Sequence, residues 1–203
     1  MTIQHTMFDD VIVIDDAIPK SYQNHMAEII KCDDFSWYWQ NEVAEYGANT
    51  GDKINDTWES CYGLFHILYS AHTHQRSSFY DIFYPMIGMI CDAAENPFLS
   101  TLTIQRVRSG LITRGSVSSG KHHIPHVDFP KFKHTTILYY PVNSDGETYM
   151  FDKIVGKENE GSSNFIKIEP KQGRAIVFNG QRYHASSSPT NNDFRAVINI
   201  NLC

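Results

Sequence analysis

From residue 100 onward the chain is a succession of short runs rich in Thr, Ile, Val, Tyr and Phe, at 101–107, 135–140, 148–151, 164–168, 174–178 and 194–200. Clusters of Gly, Pro, Ser, Asn and Asp separate them. β-Branched and aromatic side chains suit a pleated surface, and runs this short, closed by turn residues, are too brief for stable helices. Strands of this kind in series predict an antiparallel sandwich or barrel. The last run, FRAVININ, alternates: Arg195, Val197 and Asn199 share one strand face, while Phe194, Ala196, Ile198 and Ile200 share the other. An arginine turned towards a barrel interior is costly unless it meets an anion, and a guanidinium grips a carboxylate through two parallel hydrogen bonds.

The first half reads differently. Residues 11–14 (VIVI) form a β-branched run between acids, which predicts a short buried strand. Tyr22, Met26, Ile29 and Ile30 predict an amphipathic helix over 20–31. A longer helix is expected over 73–94 from Phe79, Ile82, Phe83, Met86, Ile87, Ile90 and Cys91, with Pro85 kinking it or opening its second half. Between them, 33–65 holds Trp37, Trp39 and Trp58 with no clean period, and reads as long loops with short strands, the aromatic-rich loops either capping a core or lining a cleft. At 203 residues the chain predicts a single domain, with 1–99 as helical and loop support for a strand-rich core over 100–203.

Composition removes several classes. A net charge of −6 gives no general pull towards nucleic acid or anionic membrane. No run approaches the roughly 20 apolar residues that span a bilayer, and the acidic N-terminus does not read as a signal peptide. Cys32, Cys61, Cys91 and Cys203 form no CxxC pair, which points to reduced thiols and a cytoplasmic location.

The chemistry concentrates in KHHIPHVDFPKFKHTTILYY. His126 and Asp128, two residues apart, share one face of an extended strand and make half of a metal site. His184, after the run at 174–178, is the best third donor, with His122, His123 and His134 as alternatives. Two histidines and a carboxylate leave three coordination positions open, the arrangement of non-haem iron(II) oxygenases. HxD alone is a weak motif; its order and spacing relative to His184 and Arg195 give it weight.

With these residues in place the chain resembles the iron(II)- and 2-oxoglutarate-dependent dioxygenases, most closely the prolyl-hydroxylase-like branch and its phage-encoded relatives. FDDVIVIDDAIP resembles the family's opening, LYYPVNSDGETYMFD the strand, turn and strand after HxD, and EPKQGRAIVFNGQRYHAS the approach to the second histidine. The likeness is close over 100–203 and looser over the first 35 residues. It implies a mainly β (α+β) fold, a double-stranded β-helix (jelly roll) with N-terminal helices packed outside. It implies that His126, Asp128 and His184 hold Fe(II) and that Arg195 binds the distal carboxylate of 2-oxoglutarate. Tyr140 matches a position whose phenol reaches that carboxylate, with Thr136 and Leu138 on its face; a slip of one residue would select Tyr139 instead. Val197 departs from the Ser or Thr common at that position. The implied reaction consumes O2, converts 2-oxoglutarate to succinate and CO2, and hydroxylates a C–H bond of a peptide (prolyl type) or a small molecule, with ascorbate as a possible stimulant. The carboxylate at 128 favours hydroxylation over halogenation, which uses a small residue there.

One local feature runs against the acidic average. Arg106, Arg108, Arg114, Lys121, Lys131 and Lys133 share their segment with a single acid, Asp128. Such a rim is suited to an anionic substrate, or to 2-oxoglutarate itself, against the alternative of a solvated loop. The rival classes are a non-catalytic, cupin-like metal-binding jelly roll, whose usual HxH pattern is missing, and a nucleobase demethylase, which the overall acidity opposes. Oligomeric state has no signature in the sequence.

Overall fold

The alternation in FRAVININ sets the architecture. The structure, a computed structural model, describes residues 1–43, 62–115, 121–156 and 164–203. Its elements in chain order are β1 (Thr2–His5), β2 (Val11–Asp15), α1 (Lys20–Ile29), β3 (Tyr38–Gln40), β4 (Gly63–Ser70), β5 (Gln75–Arg76) and α2 (Tyr80–Ala93). There follow a 3₁₀ turn (Leu99–Thr101), β6 (Ile104–Thr113), β7 (Thr135–Tyr139), β8 (Thr148–Ile154), β9 (Phe165–Ile168), β10 (Ala175–Asn179), β11 (Arg182–Ser186) and β12 (Phe194–Leu202). The larger sheet runs β1-β2-β10-β7-β12-β6-β4-β3, with β5 paired to β4, and the smaller runs β11-β8-β9. Every pairing between these strands is antiparallel. This is the expected double-stranded β-helix with helices outside.

Each face of the larger sheet has its own core. Ala196, Ile198 and Ile200 of β12, with Ile137 and Tyr139 of β7, pack against Met26 of α1 and Phe83, Met86 and Ile90 of α2. On the other face Leu138, Tyr140, Ile176 and Phe178 meet Met150 and Ile168 of the smaller sheet. A large apolar side chain buried this way contributes about 1.5–3 kcal/mol, so the alternation itself fixes which face of β12 looks inward.

Several boundaries differ from the sequence reading. α2 begins at Tyr80 and continues through Pro85. The preceding residues turn back onto the sheet: the Ser77 amide donates to the Leu68 carbonyl, and the Phe79 amide to the Ser77 hydroxyl. The N-terminal half is also more than helical and loop support. It supplies five strands, and β4 pairs with β6 across Leu64↔Leu111 to Ser70↔Arg106. Trp58, Cys61 and much of the loop segment 33–65 lie outside the described residues. Cys32, Cys91 and Cys203 are free thiols, as expected. Among the described residues no helix is long and apolar enough to cross a membrane.

Candidate metal centre

β11 carries His184 inward and pulls the HVD segment beside it. His126 and His184 form an isolated antiparallel bridge, their amides donating to each other's carbonyls at 2.9 and 3.0 Å. Residues 126–128 are therefore extended at a single bridge, with a bend at Asp128, and are not part of a regular strand as the spacing suggested. The alternation survives: Val127 is buried, and one donor atom each from His126, Asp128 and His184 lies within 4.8 Å of the others.

The donor set fits a divalent metal. His126 Nδ1 lies 3.1 Å from the Ile124 carbonyl and His184 Nδ1 3.2 Å from the Arg182 carbonyl. A carbonyl accepts only from N–H, so Nδ1 carries the proton and Nε2 keeps its lone pair for the centre. Burial lowers the pKa of both imidazoles, that of His184 to about 4, so both are neutral bases near pH 7. Burial alone would raise the Asp128 pKa; Arg106, both histidines and the Asn201 amide outweigh it, and the carboxyl is held well below its ordinary range. Two neutral imidazoles and one carboxylate are a donor set of the kind that makes the facial triad of non-haem iron(II) sites.

A supporting layer fixes Asp128, and nothing local in the chain announces it. Arg106 Nη2 donates to Oδ1 at 2.8 Å, Asn201 Nδ2 to Oδ2 at 2.9 Å, and Asn199 Nδ2 lies 3.3 and 3.1 Å from the two oxygens. Arg106 Nε in turn donates to Asn201 Oδ1 at 3.1 Å, and its guanidinium lies over the Phe129 ring. Arg106 and Asn201 are direct partners across β6 and β12, so strand register builds this clamp. Outer-shell groups of this kind typically tune metal affinity by 10–100-fold. Asn201→Ala is expected to weaken Fe(II) binding by about that factor, measured by anaerobic titration, with little change in helix and sheet content.

At the other end of β12, Arg195 is 3 % exposed and lines the same pocket as His126, Asp128 and His184. Its Nε donates to the Gly146 carbonyl at 2.9 Å and its Nη2 to Thr148 Oγ at 2.7 Å. Tyr140 completes the group: its hydroxyl is 2.6 Å from Thr148 Oγ, and its ring lies 5.7 Å from the Arg195 guanidinium. Of the two tyrosines only Tyr140 faces this way; Tyr139 belongs to the helix-side core, where its hydroxyl has no hydrogen-bond partner among the described residues. Leu138 and Val197 contribute apolar wall, whereas Thr136 accepts from Asn201 behind the pocket. Thr148 was not foreseen; it sits two residues past Gly146 in the GETYMF segment.

Gly146 lets the arginine approach. A Cβ there would lie 2.7 Å from the Ser187 carbonyl oxygen and 3.0 Å from Arg195 Cδ. The turn is pinned from beside it, because the Asp145 carboxylate accepts from the amides of Thr190, Asn191 and Asn192. Gly146→Ala is expected to cost about 1–3 kcal/mol through overpacking, a fall in Tm of roughly 3–10 °C by calorimetry. The displaced Arg195 should also bind any dicarboxylate more weakly.

The other histidines stand apart from the triad. His122 and His123 are buried beside β8 and β11: His122 packs against Tyr149 and Phe151, and His123 reaches the hydroxyls of Ser186 and Ser188. His134 Nδ1 lies 3.1 Å from the Phe132 carbonyl. The basic segment does not form one rim either. Arg106 is spent on Asp128, and Arg114 pairs with Asp193 at the surface. Arg108 alone among its arginines lines the pocket.

No protein-family model and no curated protein matches the chain. Solved structures do. The chain is similar to the non-haem α-ketoglutarate-dependent epimerase SnoN of nogalamycin biosynthesis, at a TM-score of 0.61 and 9% identity over 95% of this chain and 78% of that one. It is similar to a prolyl hydroxylase from Trichoplax adhaerens solved with a hypoxia-inducible-factor peptide, at 0.57 and 13% over 95% and 83%. It is also similar to a Pseudomonas putida prolyl-4-hydroxylase, at 0.55 and 12% over 95% and 92%. The chain thus has the fold of the 2-oxoglutarate–iron(II) oxygenases, a fold that here spans an epimerase and hydroxylases.

Proposed function

We propose that the protein is an Fe(II)- and 2-oxoglutarate-dependent dioxygenase that hydroxylates a C–H bond of a prolyl-type peptide or a small molecule, releasing succinate and CO2. The observation that carries this reading is one pocket holding both a two-histidine, one-carboxylate cluster and a buried arginine. A metal-binding jelly roll without turnover has use for the cluster but none for an inward Arg195. Structures of the same fold lend support: SnoN was solved with Fe3+, α-ketoglutarate and a nogalamycin compound, and the Trichoplax enzyme with a peptide.

In this reading His126, Asp128 and His184 hold the iron. Bound there with a keto acid and O2, iron supplies the oxidising capacity for C–H hydroxylation. Arg195 sets the orientation of 2-oxoglutarate by meeting its distal carboxylate in a buried, low-dielectric wall, where a charge-assisted bond is strong. Thr148 holds the guanidinium, and Tyr140 holds Thr148. Leu138, Leu111 and Val197 line the space between and exclude water. The Arg106–Asn201 clamp keeps Asp128 ionised and aimed. The same reading places the protein in the cytoplasm, in keeping with its free thiols.

The test is succinate formation from 2-oxoglutarate under Fe(II), ascorbate and air, with peptide and metabolite panels as primary substrates. Substrate-stimulated succinate is the expected result. No succinate above a metal-free control, with or without panel members, rejects the reading.

A further inference from the structure

Beyond the triad and Arg195, the pocket contains a second arginine that this chemistry leaves unused. Arg108 lies on β6 directly opposite Asn199 of β12, and both line the pocket. Asn199 stands four positions after Arg195 on β12, roughly 13 Å along a strand, so Arg108 and Arg195 join the pocket wall well apart. Among the described residues Arg108 Nη2 donates to the Gln40 side chain and the guanidinium lies over the Phe65 ring, both contacts leading away from the triad to β3 and β4. Its Nε has no acceptor among the described residues. Burial lowers its pKa to about 10, which still leaves it a cation near neutral pH.

Asn199 presents the complementary deficit. Its Nδ2 is committed to Asp128, while its Oδ1 has no donor among the described residues. A buried donor or acceptor left unmade is costly, and natural cores rarely keep one without a partner. Opposed strand residues start about 5 Å apart, so the two side chains bound one stretch of the pocket wall, and one compact ligand can face both. It must offer an anionic acceptor to Arg108 and, a bond or two away, an N–H or O–H donor to Asn199.

Resting on the oxygenase reading above, we propose that Arg108 and Asn199 form the primary-substrate subsite and that the substrate is a small α-amino or α-hydroxy carboxylic acid. Its carboxylate pairs with Arg108, its amino or hydroxyl group donates to Asn199 Oδ1, and its side chain lies towards the metal. This selects the small-molecule branch over an internal residue of a peptide.

The test uses the free L-amino acids, the matching L-α-hydroxy acids, and for each the carboxamide. Binding is read by calorimetry on Zn(II)-substituted protein with 2-oxoglutarate, and turnover by succinate release from the Fe(II) protein. Wild type should bind at least one acid tenfold or more tightly than its carboxamide. Arg108→Met should abolish that preference, Arg108→Lys should restore part of it, and neither should alter Fe(II) affinity or the KM for 2-oxoglutarate. The proposal is overturned if no acid outbinds its amide, if Arg108→Met keeps the preference, or if Arg108→Met instead raises the KM for 2-oxoglutarate. Acid-selective binding through Arg108 in a protein that makes no succinate would uphold the subsite while rejecting the oxygenase reading.

Discussion

His184→Ala should remove Fe(II) binding and reduce succinate formation to background while leaving the protein folded. The site offers three protein donors, and removing one leaves two neighbours on a single extended segment, His126 and Asp128. His184 is the informative position because its loss is electrically quiet. Burial holds its imidazole neutral, so alanine strands no charge. Asp128→Ala is a poorer probe: it would leave the partly buried Arg106 guanidinium without its carboxylate, and breaking a buried pair of this kind typically costs up to about 3–5 kcal/mol. Circular dichroism and a melting curve for metal-free His184→Ala should match metal-free wild type. A variant that still binds one equivalent of Fe(II) would show that the triad is misassigned.

The second large effect is at Arg195. Arg195→Met keeps the volume of the side chain and removes its charge and donors. Truncating one partner of a buried, hydrogen-bonded charge pair costs about 2–5 kcal/mol, so 2-oxoglutarate affinity should fall by about 30-fold or more. Fe(II) binding should be unchanged, because Arg195 touches Gly146 and Thr148 and none of the metal donors. Keto acids lacking the distal carboxylate, such as pyruvate, should lose their disadvantage in the variant. A KM for 2-oxoglutarate within twofold of wild type would remove Arg195 from the co-substrate site.

The sequence made some of this visible because strand periodicity is local. FRAVININ alternates cleanly, and Arg195, Val197 and Asn199 do line the pocket while Ala196 and Ile198 face the helices. The choice of Tyr140 over Tyr139 is the same rule applied to β7: Ile137 and Tyr139 look out, Leu138 and Tyr140 look in. β4 escaped because its buried face is mixed. His66 and Ser70 flank Leu68 there, and His66 is tolerated only because the Ser36 carbonyl and Ser77 hydroxyl satisfy its ring. Nothing within GLFHILYS announces those partners, which lie in other segments. α2 was read too long for a related reason, since the residues before Tyr80 are committed to the sheet.

The supporting layer of the metal centre was hidden by distance along the chain. Arg106 and Asn201 are 95 residues apart, and only the β6–β12 register makes them neighbours. In sequence, Arg106 is one of a group of basic residues; in the fold it is the counter-ion of Asp128. Arg108, two residues on, shares its strand face but leans to Gln40 and Phe65. Read from charge alone the segment was a single rim, and packing divides it into three separate tasks.

The central claim, that one pocket holds iron through His126, Asp128 and His184 and 2-oxoglutarate through Arg195, is tested most directly by anaerobic calorimetry on the wild-type protein. Titrating 2-oxoglutarate into protein with and without one equivalent of Fe(II) measures whether the two ligands share a site. The account predicts one Fe(II) per chain and 2-oxoglutarate binding at least tenfold tighter when the metal is present. Equal 2-oxoglutarate affinity with and without metal, or no stoichiometric Fe(II) binding, would contradict it.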